Sequence, residues 1–205
     1  MLSRAAVVVA FSMFAMPAIA ASLPCPNGIT ATFRGGGTRE YNGGDPSDPL
    51  ICLSTVQRPA AGTESGFTRI VDRNLFGFYH LDAGNDPAPA REPLQRFFSG
   101  AADEVEFTVH RRTSAQGFIG FLPLHDTWKR VGTETLTIDG APVTAQVVEM
   151  DRQGLNGYGF HIKCRFWLDT TRLLYLKGRF TLISGEGRLT NYTVTSITPT
   201  AQAQR

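Results

Sequence analysis

The chain predicts an all-β, mostly antiparallel fold. The expected architecture is a curved meander sheet, a half-barrel or a barrel- or sandwich-like closure of it, with at most one or two short helices. Three observations carry this. Apolar residues recur at every second position in run after run, as half-buried strands require. Turn signals fall between those runs. A 3.6-residue apolar period is nearly absent.

Taken in order, "MLSRAAVVVAFSMFAMPAIA" has Arg4 near its start, an apolar run from Ala5 to Met16, and small residues at Ala18 and Ala20. That is the pattern of a cleaved secretory signal over residues 1–20. The run is too short for a membrane span, which needs about 20 apolar residues. The expected compartment is periplasmic or extracellular, and residues 21–197 form one β-rich domain. The 205-residue chain carries a formal charge of +2. A near-neutral balance gives no basis for nucleic-acid binding, which needs a strong basic excess. No later segment is apolar enough to span a membrane, and oligomeric state is not legible.

Cys25, Cys52 and Cys164 sit in an oxidising compartment if the leader is real. Cys25 and Cys52 bracket a Gly- and Pro-rich segment that reads as a hairpin, which favours a bridge between them. Cys164 falls on an apolar strand face and reads as a buried free thiol. Three cysteines allow three single bridges, so spacing alone does not decide. No spacing suits a metal site or a C-x-x-C pair, and no cofactor is implied.

"YNGGDPSDP" reads as a loop because of its prolines. "DAGNDPAPA" reads as an exposed connection. "REPLQRFFSG" predicts two helical turns, with Pro93 in the first turn and Gly100 as the stop. In "EVEFTVH", Val105, Phe107 and Val109 alternate with polar residues. "TETLTID" and "VTAQVVE" flank Asp139-Gly140, a tight-hairpin signal. In "YGFHIKCRFWLD", Tyr158, Phe160, Ile162, Cys164, Phe166 and Leu168 form one face. "LLYLKGRFTL" puts Leu174, Leu176, Phe180 and Leu182 on another. "TPTAQAQR", residues 198–205, reads as a flexible tail. Roughly eleven to thirteen strands result.

"WKRVGTETLTIDGAPVTAQVVEM", followed by "FWLD" and "LLYLKGRF", resembles the C-terminal part of β-half-barrel bacterial periplasmic proteins, the LolA-like group and its uncharacterised relatives. Gly132, Glu134, Gly140, Trp167 and Lys177 match, and the resemblance covers residues 128–197. It implies a curved antiparallel sheet whose apolar concave face serves lipid or other hydrophobic ligands, covered in that group by helices. It carries no catalytic residues.

Chemistry is sparse. There is no Gly-x-Ser-x-Gly elbow, zinc helix or phosphate loop. His125-Asp126 and His80-x-Asp82 could orient an imidazole, although neighbours on one strand face opposite ways. Glu104 and Glu106 share a face at roughly 7 Å by strand rise, and solvated acids are the ordinary explanation. The sharper candidate is basic and aromatic. Lys163, Arg165 and Trp167 share one face by period two, as do Tyr175, Lys177 and Arg179 on the next strand. An indole beside such cations could hold a lipid head group or anionic glycan. Cross-strand ion pairs on a wet face are the plainer account. The reading is therefore an exported, non-catalytic β-protein that binds an amphipathic or anionic envelope ligand or a partner protein. The alternatives are a hydrolase using His125 or His161 with a carboxylate, and a structural or assembly protein.

Overall fold

The structure is a computed structural model that describes residues 24–59, 67–81, 86–115, 118–157, 159–186 and 189–200. Residues 1–20, where the sequence predicts a leader, lie outside the described residues, as do Asp82 and Tyr158. The chain forms β1 (Asn27–Phe33), β2 (Thr38–Asp45), β3 (Asp48–Pro59), β4 (Phe67–Leu75) and β5 (Tyr79–Leu81). Then comes α1 (Ala88–Phe98), followed by β6 (Glu104–Ala115), β7 (Phe118–Ile138) and β8 (Ala141–Gly154). It closes with β9 (His161–Asp169), β10 (Leu174–Ser184) and β11 (Tyr192–Pro199). These are the antiparallel strands of an all-β curved sheet, in the order β5-β4-β3-β2-β1-β11-β10-β9-β8-β7-β6. Two meanders are thus joined through the first and last strands, and the sheet edges are β5 and β6. Among the described residues no helix is long and apolar enough to cross a membrane.

The edges do not pair through backbone, yet they meet. The Tyr79 ring on β5 lies 5.4 Å from Phe107 on β6 and 6.0 Å from Trp128 on β7. Strands at opposite ends of the order touch only if the sheet curls toward that face, as a twisted sheet does. The helix spans the gap in sequence and in space, burying Ala90, Leu94 and Phe97 at the i, i+4, i+7 spacing of one helical face. The main core is this concave face, where Phe107, Leu124, Trp128, Val148, Phe166 and Phe78 pack together.

Several expectations need correction. The helix begins at Ala88, held by the Asp86 carboxylate accepting from the Ala88 N–H, so Pro93 sits inside it rather than in the first turn. Burial of its apolar face offsets the backbone bond that Pro93 forfeits. The "YNGGDPSDP" segment is strand on both sides of a tight turn, in which Asp45 accepts from the N–H and hydroxyl of Ser47. Thr198 and Pro199 pair with Thr30 and Ile29. The Asp139-Gly140 turn has both φ values positive, the geometry that a right-twisted two-residue hairpin demands. Cys25 and Cys52 form a disulfide, and Cys164 is free and buried.

The pairing of β10 with β11 is confined to Lys177–Thr193 and Gly178–Tyr192. The meanders splay there, and the far end of the β7–β8 hairpin packs into the junction. Its Asp139 N–H donates to Thr195 O, and the Ile197 N–H donates to the Asp139 carboxylate. A second cluster fills the splay: Ala31, Tyr41, Val147, Trp167, Leu174 and Leu176. A Cβ on Gly178 would lie 2.4 Å from the Tyr192 ring. That ring lies against Phe33, Phe180 and Tyr175 and must repack among them to make room. Gly178→Ala is therefore expected to cost about 1–3 kcal/mol by overpacking. Urea denaturation checks this; an unchanged midpoint would mean the ring is mobile.

Candidate functional site

The six sequence candidates divide. Lys163, Arg165 and Arg179 lie on the outward face of β9 and β10, in a shallow groove of about 420 Å³ shared with Lys129, Glu149 and Asp151. Two of the three are paired: Lys163 with Asp151 at 3.7 Å and Arg165 with Glu149 at 3.5 Å. Trp167 is not in water. It is 5% exposed and packed in the junction cluster, with its indole N–H donating to Glu134 at 2.6 Å. Lys177 lies 3.8 Å from its ring centroid and 3.6 Å from Glu134. The Glu134 carboxyl is held below its usual value first by that indole N–H, then by Lys177 and Arg165. Tyr175 is the exception. A register shift between Tyr175 and Lys177 turns it into the main core beside Phe166 and Phe78, away from Lys177. The same shift sends Leu174 and Leu176 to the junction cluster instead of to Phe166 and Phe180.

Histidines lie where strand parity puts them. Asp126 faces the core and His125 faces out, bonded to Thr108 at 3.4 Å and near Glu106 at 3.6 Å. His161 pairs with Asp151 at 2.8 Å on the outward face. Glu104 pairs with Lys129 at 3.1 Å. Among the described residues no group of three or more His, Cys, Asp or Glu could hold a metal.

The concave face holds the better site. A cavity of about 440 Å³ opens on it, with Phe78, Trp128, Phe166, Tyr175, Phe180 and Tyr192 among its walls. The aromatic rings form a chain: Trp128 stacks on Phe166 at 6.0 Å, and Phe166 lies 5.7 Å from Phe180 and 6.0 Å from Tyr175. Arg39, Arg58, Arg111 and Arg152 also line it, with Asp72 the one carboxylate among the described lining residues. Concave, mostly apolar pockets of this size with a few convergent polar groups are typical of small-ligand sites.

Two arginines are built in. Arg39 is only 9% exposed. Its terminal nitrogens donate to Asp72 at 3.0 Å and Ser54 at 3.2 Å, and its guanidinium lies 5.2 Å from the Tyr175 ring centroid. Burial works against the Arg39 charge, but Tyr41 and Asp72 outweigh it and its pKa is raised. Arg152 grips Asp126 through Nε at 2.6 Å and Nη2 at 2.7 Å, and donates to the Tyr79 hydroxyl at 3.1 Å. That hydroxyl donates in turn to Asp126 at 3.0 Å. Burial raises the Tyr175 phenol and pushes the Cys164 thiol up to about 12, so both stay neutral at physiological pH. The thiol is then a poor nucleophile.

Two buried donors on the cavity residues have no partner among the described residues, Arg39 Nε and Trp128 Nε1. Such orphans are uncommon in native interiors and call for a reason. Sequence reasoning missed Arg39, Trp128 and the Asp126–Arg152 pair. The signal available was parity: Asp126 and Trp128 share the face of Leu124, so a carboxylate interrupts an otherwise apolar stripe.

No family model matches the chain, and no curated protein matches it. Among solved structures it is similar to the hypothetical lipoprotein YmcC from Escherichia coli (K12), at 17% identity and a TM-score of 0.43. The match covers 86% of this chain and 89% of that one.

Proposed function

We propose that the protein is an exported binding protein for a small amphipathic anion, carried in the concave cavity. The single observation behind this is a cavity that combines an aromatic floor with arginines and in whose lining residues Arg39 Nε and Trp128 Nε1 have no acceptor among the described residues. The disulfide and the leader pattern support an oxidising compartment, where disulfides persist. The outward cations contribute less to this reading, because each exposed pair there is worth about 0–1 kcal/mol and is already formed. The half-barrel resemblance points the same way, toward a hydrophobic ligand on the concave face. No catalytic step is assigned.

The two tryptophans supply the test, since Trp128 lines the cavity and Trp167 fills the junction. Titration with decanesulfonate, one alkyl chain with one negative charge, is followed through the indole N–H cross-peaks of a proton–nitrogen correlation spectrum, assigned with Trp167→Phe. Saturable one-to-one binding that shifts the Trp128 peak and leaves Trp167 in place is expected. Unsaturable binding, or a shift confined to Trp167, overturns the reading.

A further inference from the structure

We infer, resting on the binding reading above, that the cavity takes a single-chain organic acid with one negative charge, and that its carboxylate lies at Arg39 rather than at the rim. The arginines are graded in depth. Arg58 and Arg111 are exposed, whereas Arg39 is buried among Tyr175, Asp72 and Ser54. An exposed ion pair is screened and weak, while a desolvated, hydrogen-bonded charge pair is many times stronger. Depth therefore favours a head-in pose. Arg39 also has unused capacity, because its five N–H groups make two side-chain bonds, to Ser54 and Asp72, and its Nε has no acceptor among the described residues. The rim arginines serve capture, drawing an anion toward the mouth over a distance set by ionic strength.

Charge number follows from Asp72. It already shares the guanidinium at 3.0 Å, so an incoming acid meets a carboxylate neighbour. A phosphomonoester brings up to two charges, so it meets the Asp72 carboxylate with more repulsion than a singly charged acid does. Size follows from volume. At about 30 Å³ per water-sized group, a cavity of about 440 Å³ admits roughly 15 non-hydrogen atoms. One medium alkyl chain with its carboxylate fits; a two-chain phospholipid is several times too large. The chain part lies along Phe166, Phe180 and Tyr192, whose successive rings lie 5.7 and 6.1 Å apart.

Calorimetry on the disulfide-intact protein tests this with dodecanoate, dodecanol, dodecyl phosphate and phosphatidylglycerol vesicles. Dodecanoate is expected to bind at least about tenfold more tightly than dodecanol or dodecyl phosphate, and the vesicles not at all. Arg39→Lys, which keeps the charge and loses the fork, should bring dodecanoate to within about threefold of dodecanol. If that variant melts early, Arg39→Gln with Asp72→Asn removes both charges together and should give the same loss. Arg58→Gln with Arg111→Gln should change affinity less than about threefold and flatten its salt dependence. The inference is overturned if the rim double variant carries the loss and the Arg39 variants do not. Tighter binding of dodecyl phosphate or of vesicles overturns it too, while leaving the binding reading intact. If no amphiphile binds at all, that reading falls with it.

Discussion

Replacing Asp126 with alanine is expected to destabilise the protein by about 3–5 kcal/mol, the cost of breaking a buried ion pair. Asp126 is 0% exposed. Its two oxygens take a side-on fork from Arg152 and the hydroxyl proton of Tyr79. Alanine leaves the mostly buried Arg152 guanidinium without its carboxylate and removes the acceptor that Asp126 gives the Tyr79 hydroxyl. The three groups belong to β5, β7 and β8, so the triangle is also where one sheet edge is fastened to the strand beside the other. For a chain of this size the loss corresponds to a fall in Tm of about 6–20 °C, read by circular dichroism. Three companions sharpen the test. Tyr79→Phe removes two sides of the triangle but leaves the ion pair, and should cost about 1–2 kcal/mol. Glu106→Ala, outward on the neighbouring strand, should stay within about 0.5 kcal/mol. Asp126→Leu with Arg152→Met should recover most of the loss, because an apolar pair of similar volume carries no desolvation cost. An Asp126→Ala protein melting within about 2 °C of the parent would show that the sheet edges are not fastened there.

Much of the fold was legible because strand parity is a local property. Val105, Phe107 and Val109 are buried as alternation requires, and so are Ile162, Cys164 and Phe166, while Lys163 and Arg165 face water. The positive-φ turn at Asp139-Gly140 is equally local. What was not legible depends on where parity breaks or where distant strands meet. One extra residue near Leu176 exchanges the faces of Tyr175 and Leu174, and no composition signal marks that bulge. The loop reading of "YNGGDPSDP" failed because proline at a strand's start costs the ladder little. The cavity was invisible for another reason. Arg39 on β2 and Trp128 on β7 are far apart in sequence and in strand order, and only the curl of the sheet brings both to one cavity. A buried arginine looks in sequence like any surface arginine until its partner Asp72, 33 residues on, is known.

Trp167 separates the sequence reading from the structure most cleanly. As an aromatic on a wet face it would tolerate replacement. As a residue 5% exposed and packed with Val147, Leu174 and Leu176, it should cost about 3–5 kcal/mol when cut to alanine, by lost transfer energy and the cavity left behind. Denaturant midpoints at neutral pH check this, and a parent-like midpoint would return Trp167 to the surface. Trp167→Phe isolates the N–H. In the parent, Glu134 has a folded pKa below its ordinary 4.5, chiefly because that N–H donates to it. A depressed carboxylate binds fewer protons folded than unfolded near that pH. Its contribution is therefore complete above 4.5 and lost as pH falls through the lower folded value. Because Glu134 is half-exposed, solvent screening keeps this contribution modest. Removing the donor lets the Glu134 pKa rise toward 4.5, so the hydrogen-bond part of the Trp167→Phe deficit should be present at neutral pH and shrink in acid. The packing part persists at every pH, and Trp167→Ala should show both. A Trp167→Phe deficit that holds constant or grows below pH 4.5 would mean that Glu134 takes its charge stabilisation from Lys177 and Arg165 alone.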